Sequence, residues 1–287
     1  MQGCASALGY GLGKSSARLY RLPMAVSARN VLFRLAKETT WSQFVDYASP
    51  ALSDVMPLRQ ILAQGREFVG NSRNRKRFAQ TRQEIASVVS SPGLVIAQRH
   101  EPDFAGTALR ELSTEAKRDA GTRILQIYFA QLLRSSSALL DIRAEAFRFT
   151  ESSQLSWSPS ALYVAWDSEF VAGLRDVYAG FYLDDRGRFD RGLAVLGLED
   201  AEDLLLTHLG DGDQSRVRFT TAAFHASLHE LFLRCRDRRI SLHRNFLALG
   251  VYLICLYDAL ESLDSEFDVR SAFEQSYQSV GTAVRAC

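Results

Sequence analysis

The stretch HRNFLALGVYLICLYDALESL, residues 243–263, decides the fold. From Phe246 to Tyr257 it carries no charge and is apolar on every side. A helix with that pattern is buried on every side. Twelve helical residues rise about 18 Å, well short of the roughly 30 Å hydrocarbon core of a bilayer. Arg244 and Asn245 precede the apolar run, and Asp258, Glu261 and Asp264 follow it. The pattern therefore predicts a central core helix at 243–263 with other helices packed round it, in place of a membrane span.

Working outward, most of the chain has helical spacing. Phe170, Leu174, Val177 and Phe181 share one face; Arg186 to Leu196 and Asp200 to Leu209 follow, split by Gly197. Thr220 is placed to start a helix carrying Phe224, Leu228, Leu231, Phe232 and Cys235, and Asp268 to cap a last one through Phe273, Tyr277 and Val280. Upstream, Ala25 to Thr39 and Trp41 to Tyr47 read as helices, and Asp54 as the cap of a helix running to about Val69. Asp103 to Ser135 reads as two helices broken near Gly121.

The texture changes at Ala138. ALLDIR, AFRFT and QLSWSP are short and alternate apolar with polar residues, with a polar turn at Glu151 to Ser153. This predicts one small β-hairpin near 147–157 after an extended LLDIR. The expected fold is mainly α: a multi-helix bundle around helix 243–263 with that hairpin. The expected division is an N-terminal helical region at 1–100 and a helical domain with the hairpin at 101–287.

The chain has 287 residues and a formal net charge of +1, so bulk electrostatics argue against nucleic acid as a partner. Two regions are locally basic. No acid occurs before Glu38, while Lys14, Arg18, Arg21, Arg29, Arg34 and Lys37 do. That start suits an organelle targeting segment, an anionic membrane surface, or an ordinary first helix. The second run is Arg66, Arg73, Arg75, Lys76, Arg77 and Arg82. It reads as a solvated helix face, with nucleic acid or anionic lipid as the alternative. GYGLGKSS at 9–16 approaches a phosphate loop, but Leu8 stands where the first glycine belongs. The four cysteines show neither zinc-ligand spacing nor the density of a disulfide scaffold, which points to a reducing, intracellular setting.

Two constellations could carry chemistry. His225 and His229 lie four apart on one helix face, with His208 and His243 near the ends of flanking helices. Imidazoles so grouped can hold zinc or iron, and they define the alternative of a helical metal- or cofactor-binding enzyme. The other candidate is Asp141, a single acid between two leucines and a following Ile-Arg; it reads as a catalytic acid or as a strand-end carboxylate paired with Arg143.

The order of these features resembles the C-lobe of the AarF/UbiB family of atypical kinase-like proteins. IYFAQLLRSSSALLDIR (127–143) is similar to the family's apolar helix and catalytic segment, and places Asp141 at the catalytic aspartate. FRFTESSQLSW (147–157) looks like the hairpin that follows it. YLDDRGRFDRGLAVLGL (182–198) and ISLHRNFLALGVYLICLYDALESLDSEFDV (240–269) resemble the later helices. The family's Lys-x-Gly-Gln motif is absent, Ala146 stands where it has an asparagine, and Ser156 to Pro159 lack its metal-binding aspartate. Phosphoryl transfer needs those groups to hold magnesium and phosphate. The resemblance thus implies a kinase-like fold, a degenerate non-catalytic module and a setting in scaffolding or in lipid and quinone metabolism.

Overall fold

The computed structural model describes residues 52–89, 93–98, 104–150, 152–209 and 216–285. The expected helices at 25–39 and 41–47, the glycine-rich stretch at 9–16 and the acid-free start lie outside the described residues.

The fold is mainly α, with short strands in small sheets. The helices are α1 (Leu52–Val55), α2 (Leu58–Arg73), α3 (Arg75–Val88), α4 (Thr114–Arg134), α5 (Ser168–Tyr182), α6 (Arg186–Leu196), α7 (Glu202–Leu209), α8 (Thr221–Asp237), α9 (Asn245–Ser262) and α10 (Val269–Arg285). The strands are β1 (Leu94–Ile96), β2 (Ser137–Leu139), β3 (Phe147–Phe149), β4 (Leu155–Trp157), β5 (Tyr163–Ala165), β6 (Val217–Arg218) and β7 (Glu266–Phe267).

Helix α9 is the expected core helix. It runs 18 residues, longer than the uncharged stretch, because Asp258 and Glu261 continue it. Ala248, Leu249, Tyr252 to Tyr257, Ala259 and Leu260 are buried against α4, α8 and α2. By length and composition alone it is the one helix among the described residues that could cross a membrane, yet 56% of its residues are buried inside the fold.

Side-chain caps set most helix starts. Asp167 accepts from the Glu169 and Phe170 N–H groups at the start of α5, Thr220 from Ala223 N–H at α8, and Asp268 from Ser271 N–H at α10. Each satisfies donors that have no partner within the helix. Gly197 ends α6 at φ 68°, a left-handed cap that glycine adopts without steric cost. Asp54 differs from expectation: it lies within the short α1, and the next helix starts only after Pro57.

Helix α4 also departs from the expected break at Gly121, because it is continuous for 21 residues. A Cβ at Gly121 would run into the Phe267 ring, so the residue admits a close neighbour and does not interrupt the helix. At Gly250 on α9, by contrast, nothing lies within 4 Å of where a Cβ would be.

The hairpin β3–β4 forms as expected, pairing Phe147 with Trp157 and Phe149 with Leu155. Three further pairings went unread. Strand β1 joins β4 in parallel, β2 pairs antiparallel with β5, and β6 with β7. The hairpin strands are equally short but are joined by a polar turn, whereas these partners lie far apart in sequence and carry no local signal. Strand β1 lies before residue 100 and pairs with β4, while α2 and α3 pack on β5 and β2. Ile61, Phe68 and Ile85 join residues beyond 100 in one hydrophobic core.

Two glycine substitutions test this packing. Gly121→Val should destabilise by about 1–3 kcal/mol through overpacking against Phe267. Gly250→Ala should be tolerated or add about 0.5–1 kcal/mol, the usual difference between alanine and glycine in a helix interior. Thermal melts of both variants check the pair; the reverse order would place the close contact at the wrong helix.

Candidate functional site

Residues 140–143 connect β2 to the turn before the hairpin, and every one of them is buried. Leu140 and Ile142 point into the core at 0% exposure, which draws Asp141 between them and the following Arg143 inward. Asp141 is 3% exposed and Arg143 5%. Charges this deep must be paired and hydrogen-bonded. Arg143 Nε donates to Asp141 Oδ1 at 2.8 Å and its Nη2 to Oδ2 at 3.1 Å, a two-pronged pair. Ser160 N–H donates to Oδ2 at 3.0 Å. The Trp157 indole N–H donates to the Asp141 carbonyl at 2.9 Å and ties the segment to β4.

The guanidinium serves other acids as well. Arg143 Nη2 lies 3.0 Å from Glu145 Oε1. Asp258, on the last turns of α9, accepts from Ala144 N–H at 2.9 Å and so fastens the segment to the core helix. Burial works to raise the Asp141 carboxyl, but Arg143 and then Ser160 outweigh it and hold the group below its ordinary value of 3.8. Asp258 goes the other way: burial raises it, and the Ala144 N–H and Arg143 charge do not fully compensate. Cys255, one turn earlier on α9, is a wholly buried thiol pushed well up by burial and then by the Asp141 charge. Such a thiol is a poor nucleophile.

This arrangement bears on what Asp141 can do chemically. Both oxygens are engaged by donors and the group is held ionised among core side chains. To accept a proton from a substrate it would first have to give up Arg143 and reach the surface.

The histidines occupy separate neighbourhoods. His243 stacks on the Phe170 ring at 5.1 Å, and its Nδ1 accepts from Asn245 N–H at 3.2 Å. Burial lowers its pKa against the pull of Asp167. It lies just before the N-terminus of α9. His225 stands beside Phe224 on α8, with Glu261 near the other end of α9 as its charged neighbour. Eighteen helical residues span about 27 Å, so His225 and His243 cannot share an ion. His229 is one turn further along α8. His208 lies on α7, and its side chain is outside the described residues. Among the described residues, no three His, Cys, Asp or Glu side chains come together in a way that could hold a metal.

A second buried polar cluster went unread in the sequence. The Tyr128 and Tyr178 hydroxyls are 2.7 Å apart. Gln131 Nε2 donates to Tyr252 Oη at 2.7 Å, and Gln131 Oε1 accepts from Leu139 N–H at 2.8 Å. These contacts join α4, α5, α9 and β2. Burial pushes the Tyr178 hydroxyl up to about 12, so it stays neutral. A cavity of about 20 Å³ opens beside Tyr128, Tyr178, Tyr182 and Tyr257, room for about one water. The available signal was Gln131 itself, a polar residue inside a run of leucines and aromatics.

No protein-family model matches the chain, and no curated protein matches it in sequence.

The two carboxylates should respond oppositely to pH. The folded pKa of Asp141 is depressed, so its contribution is present above the ordinary carboxylate range and lost as pH falls through the folded value. The folded pKa of Asp258 is raised, so its contribution is present below about 3.8 and lost as pH rises through the folded value. Asp258→Asn keeps an oxygen for Ala144 N–H and should melt above wild type at pH 7, with the gain disappearing near pH 4 and below. Asp141→Asn leaves Arg143 with only partial compensation and should cost about 3–5 kcal/mol. Denaturation series across pH 3–8 check both signs.

Proposed function

We propose that the chain is a non-catalytic, pseudokinase-like helical module, a degenerate relative of the AarF/UbiB kinase-like proteins that serves as a scaffold. The observation that carries this reading is the state of Asp141: the residue in the position of a catalytic base is 3% exposed and bound at both oxygens by Arg143 and the Ser160 N–H. A general base needs to be within reach of the proton it abstracts. Here the carboxylate holds a loop to a hairpin instead.

The order of elements supports the kinship. An apolar helix, α4, leads into a short strand, β2, and then to the segment with Asp141; the hairpin β3–β4 follows, and β5 returns to pair with β2 before α5. The helix, the aspartate segment, the hairpin and the later helices follow the order the resemblance implies; the β2–β5 pair is an addition to it. The departures support loss of catalysis. Ala146 ends a helical turn at 1% exposure, and Ser156 and Ser158 are buried where a magnesium-binding carboxylate would belong. The same interior favours a scaffold role through rigidity, because the Asp141 segment and the tyrosine cluster tie three helices, α4, α5 and α9, to β2 and β4. A link to lipid or quinone metabolism rests on the resemblance alone.

Calorimetric titration of the purified full chain with magnesium and ATP tests this reading. The expected result is no saturable heat. Saturable magnesium-dependent binding that Asp141→Asn abolishes in a variant still folded by circular dichroism would overturn it.

A further inference from the structure

Helices α2 and α3 carry seven cations, Arg59, Arg66, Arg73, Arg75, Lys76, Arg77 and Arg82, against two carboxylates, Glu67 and Glu84. The whole chain is only +1, so positive charge is concentrated on this helix pair. All but Arg82 are exposed. None of the seven is ion-paired among the described residues. By contrast, Arg123, Arg143, Arg186, Arg188, Arg234 and Arg270 each hold a carboxylate.

Their spacing is regular. Arg59, Arg66 and Arg73 recur every seven residues on α2, which puts them on one line at steps of about 10.5 Å. Between them on the same exposed stripe lie Ala63 and Gly70. A Cβ at Gly70 would meet nothing within 4 Å. The stripe is thus a row of guanidinium groups with low relief between them. Its orientation is fixed from behind, where Ile61, Gln64, Phe68 and Asn71 are buried and Asn71 Nδ2 donates to the Tyr163 carbonyl at 3.0 Å. At the elbow, Arg73, Arg75, Lys76 and Arg77 cluster where α2 ends and α3 begins.

The chemistry of the surface selects its occupant. Among the described residues, the exposed positions between the cations include Ala63, Gly70, Gln80, Gln83 and Ser87 and none is aromatic or a branched aliphatic, while Leu62 beside Arg59 and Arg66 is half-buried. Among the described residues the exposed positions offer neither a large apolar side chain to insert into a bilayer nor a ring to stack on unpaired bases. Arginine with Gln and Ser is instead the set that grips phosphate and sugar. Glu67 lies beside the stripe, and its carboxylate accepts from Gln64 at 3.2 Å.

We propose that the Arg59–Arg66–Arg73 stripe and the adjoining Arg75–Arg77 elbow form a sequence-independent docking surface for the phosphate backbone of a nucleic-acid duplex. Low net charge over the whole molecule does not oppose this, because screening limits each charge to about 8–10 Å at physiological salt.

Fluorescence anisotropy of labelled 20-base-pair DNA and RNA duplexes, two unrelated sequences of each, tests the surface with the full chain. Wild type is compared with Arg59→Gln/Arg66→Gln/Arg73→Gln and with Arg110→Gln/Arg191→Gln/Arg238→Gln, which removes the same charge elsewhere. Thermal melts confirm that both variants fold. The expected result is similar binding of unrelated sequences, with log K falling against log salt by about 0.9 per phosphate contact. The stripe variant should bind about tenfold or more weakly at 50–100 mM salt and lose about 2–3 from that slope, while the control triple changes little. Absence of duplex binding, an equal loss in both variants, or binding of phosphatidylserine vesicles in place of duplexes would overturn the proposal.

Discussion

The fold is centred on the removal of most of α9 from water. Its buried residues run through Ala248, Leu249, Tyr252 to Tyr257, Ala259 and Leu260, and a single neighbour cannot cover so wide an apolar surface. Helices α4, α8 and α2 therefore pack round it, and α10 and α5 close over α4. Full burial of one leucine- or isoleucine-sized side chain contributes about 1.5–3 kcal/mol before entropy is counted. A helix with this many buried apolar side chains fixes where its neighbours must lie.

Burying a helix so completely also brings polar groups into the interior. Asp258 and Tyr252 both belong to α9, and each has a specific partner: Ala144 N–H for the carboxylate, Gln131 for the hydroxyl. The Asp141–Arg143 pair follows the same rule on the segment that Asp258 holds. Leaving any of these groups buried without a partner would cost more than the bond itself gains. The polar interior thus acts as a set of locators, fastening α4, α9, β2 and the hairpin at defined points. This is the physical basis for reading the buried acid as part of a scaffold.

The basic helix pair α2–α3 shows how a surface can be hidden in bulk numbers. The chain as a whole is nearly neutral, and a run of arginines on a helix is commonly a solvated face. Exposure, lack of carboxylate partners among the described residues and the seven-residue spacing are properties of positions on a folded helix. They separate a patterned surface from a merely basic composition.

The amino-acid sequence by itself determined the class of fold, the core helix and the hairpin, because hydrophobic period and apolar runs are local and survive without knowledge of neighbours. It also determined the caps at Thr220 and Asp268, since an N-cap satisfies donors only two or three residues away. Tertiary structure alone decided the rest. Gly121 reads as a helix break in sequence, and only the Phe267 ring, from 146 positions along the chain, shows it to be a close contact within a continuous helix. Strands β1, β2 and β5 carry no local signal, and exist because distant segments offer them matching backbone donors and acceptors. The histidines looked alike as residue types, yet α9 separates His225 from His243 by nearly its whole length. Asp141 was open between a catalytic acid and a structural one, and its burial and the donors around it, which depend on how Ser160, Arg143 and the core assemble, set the ionised and enclosed state observed.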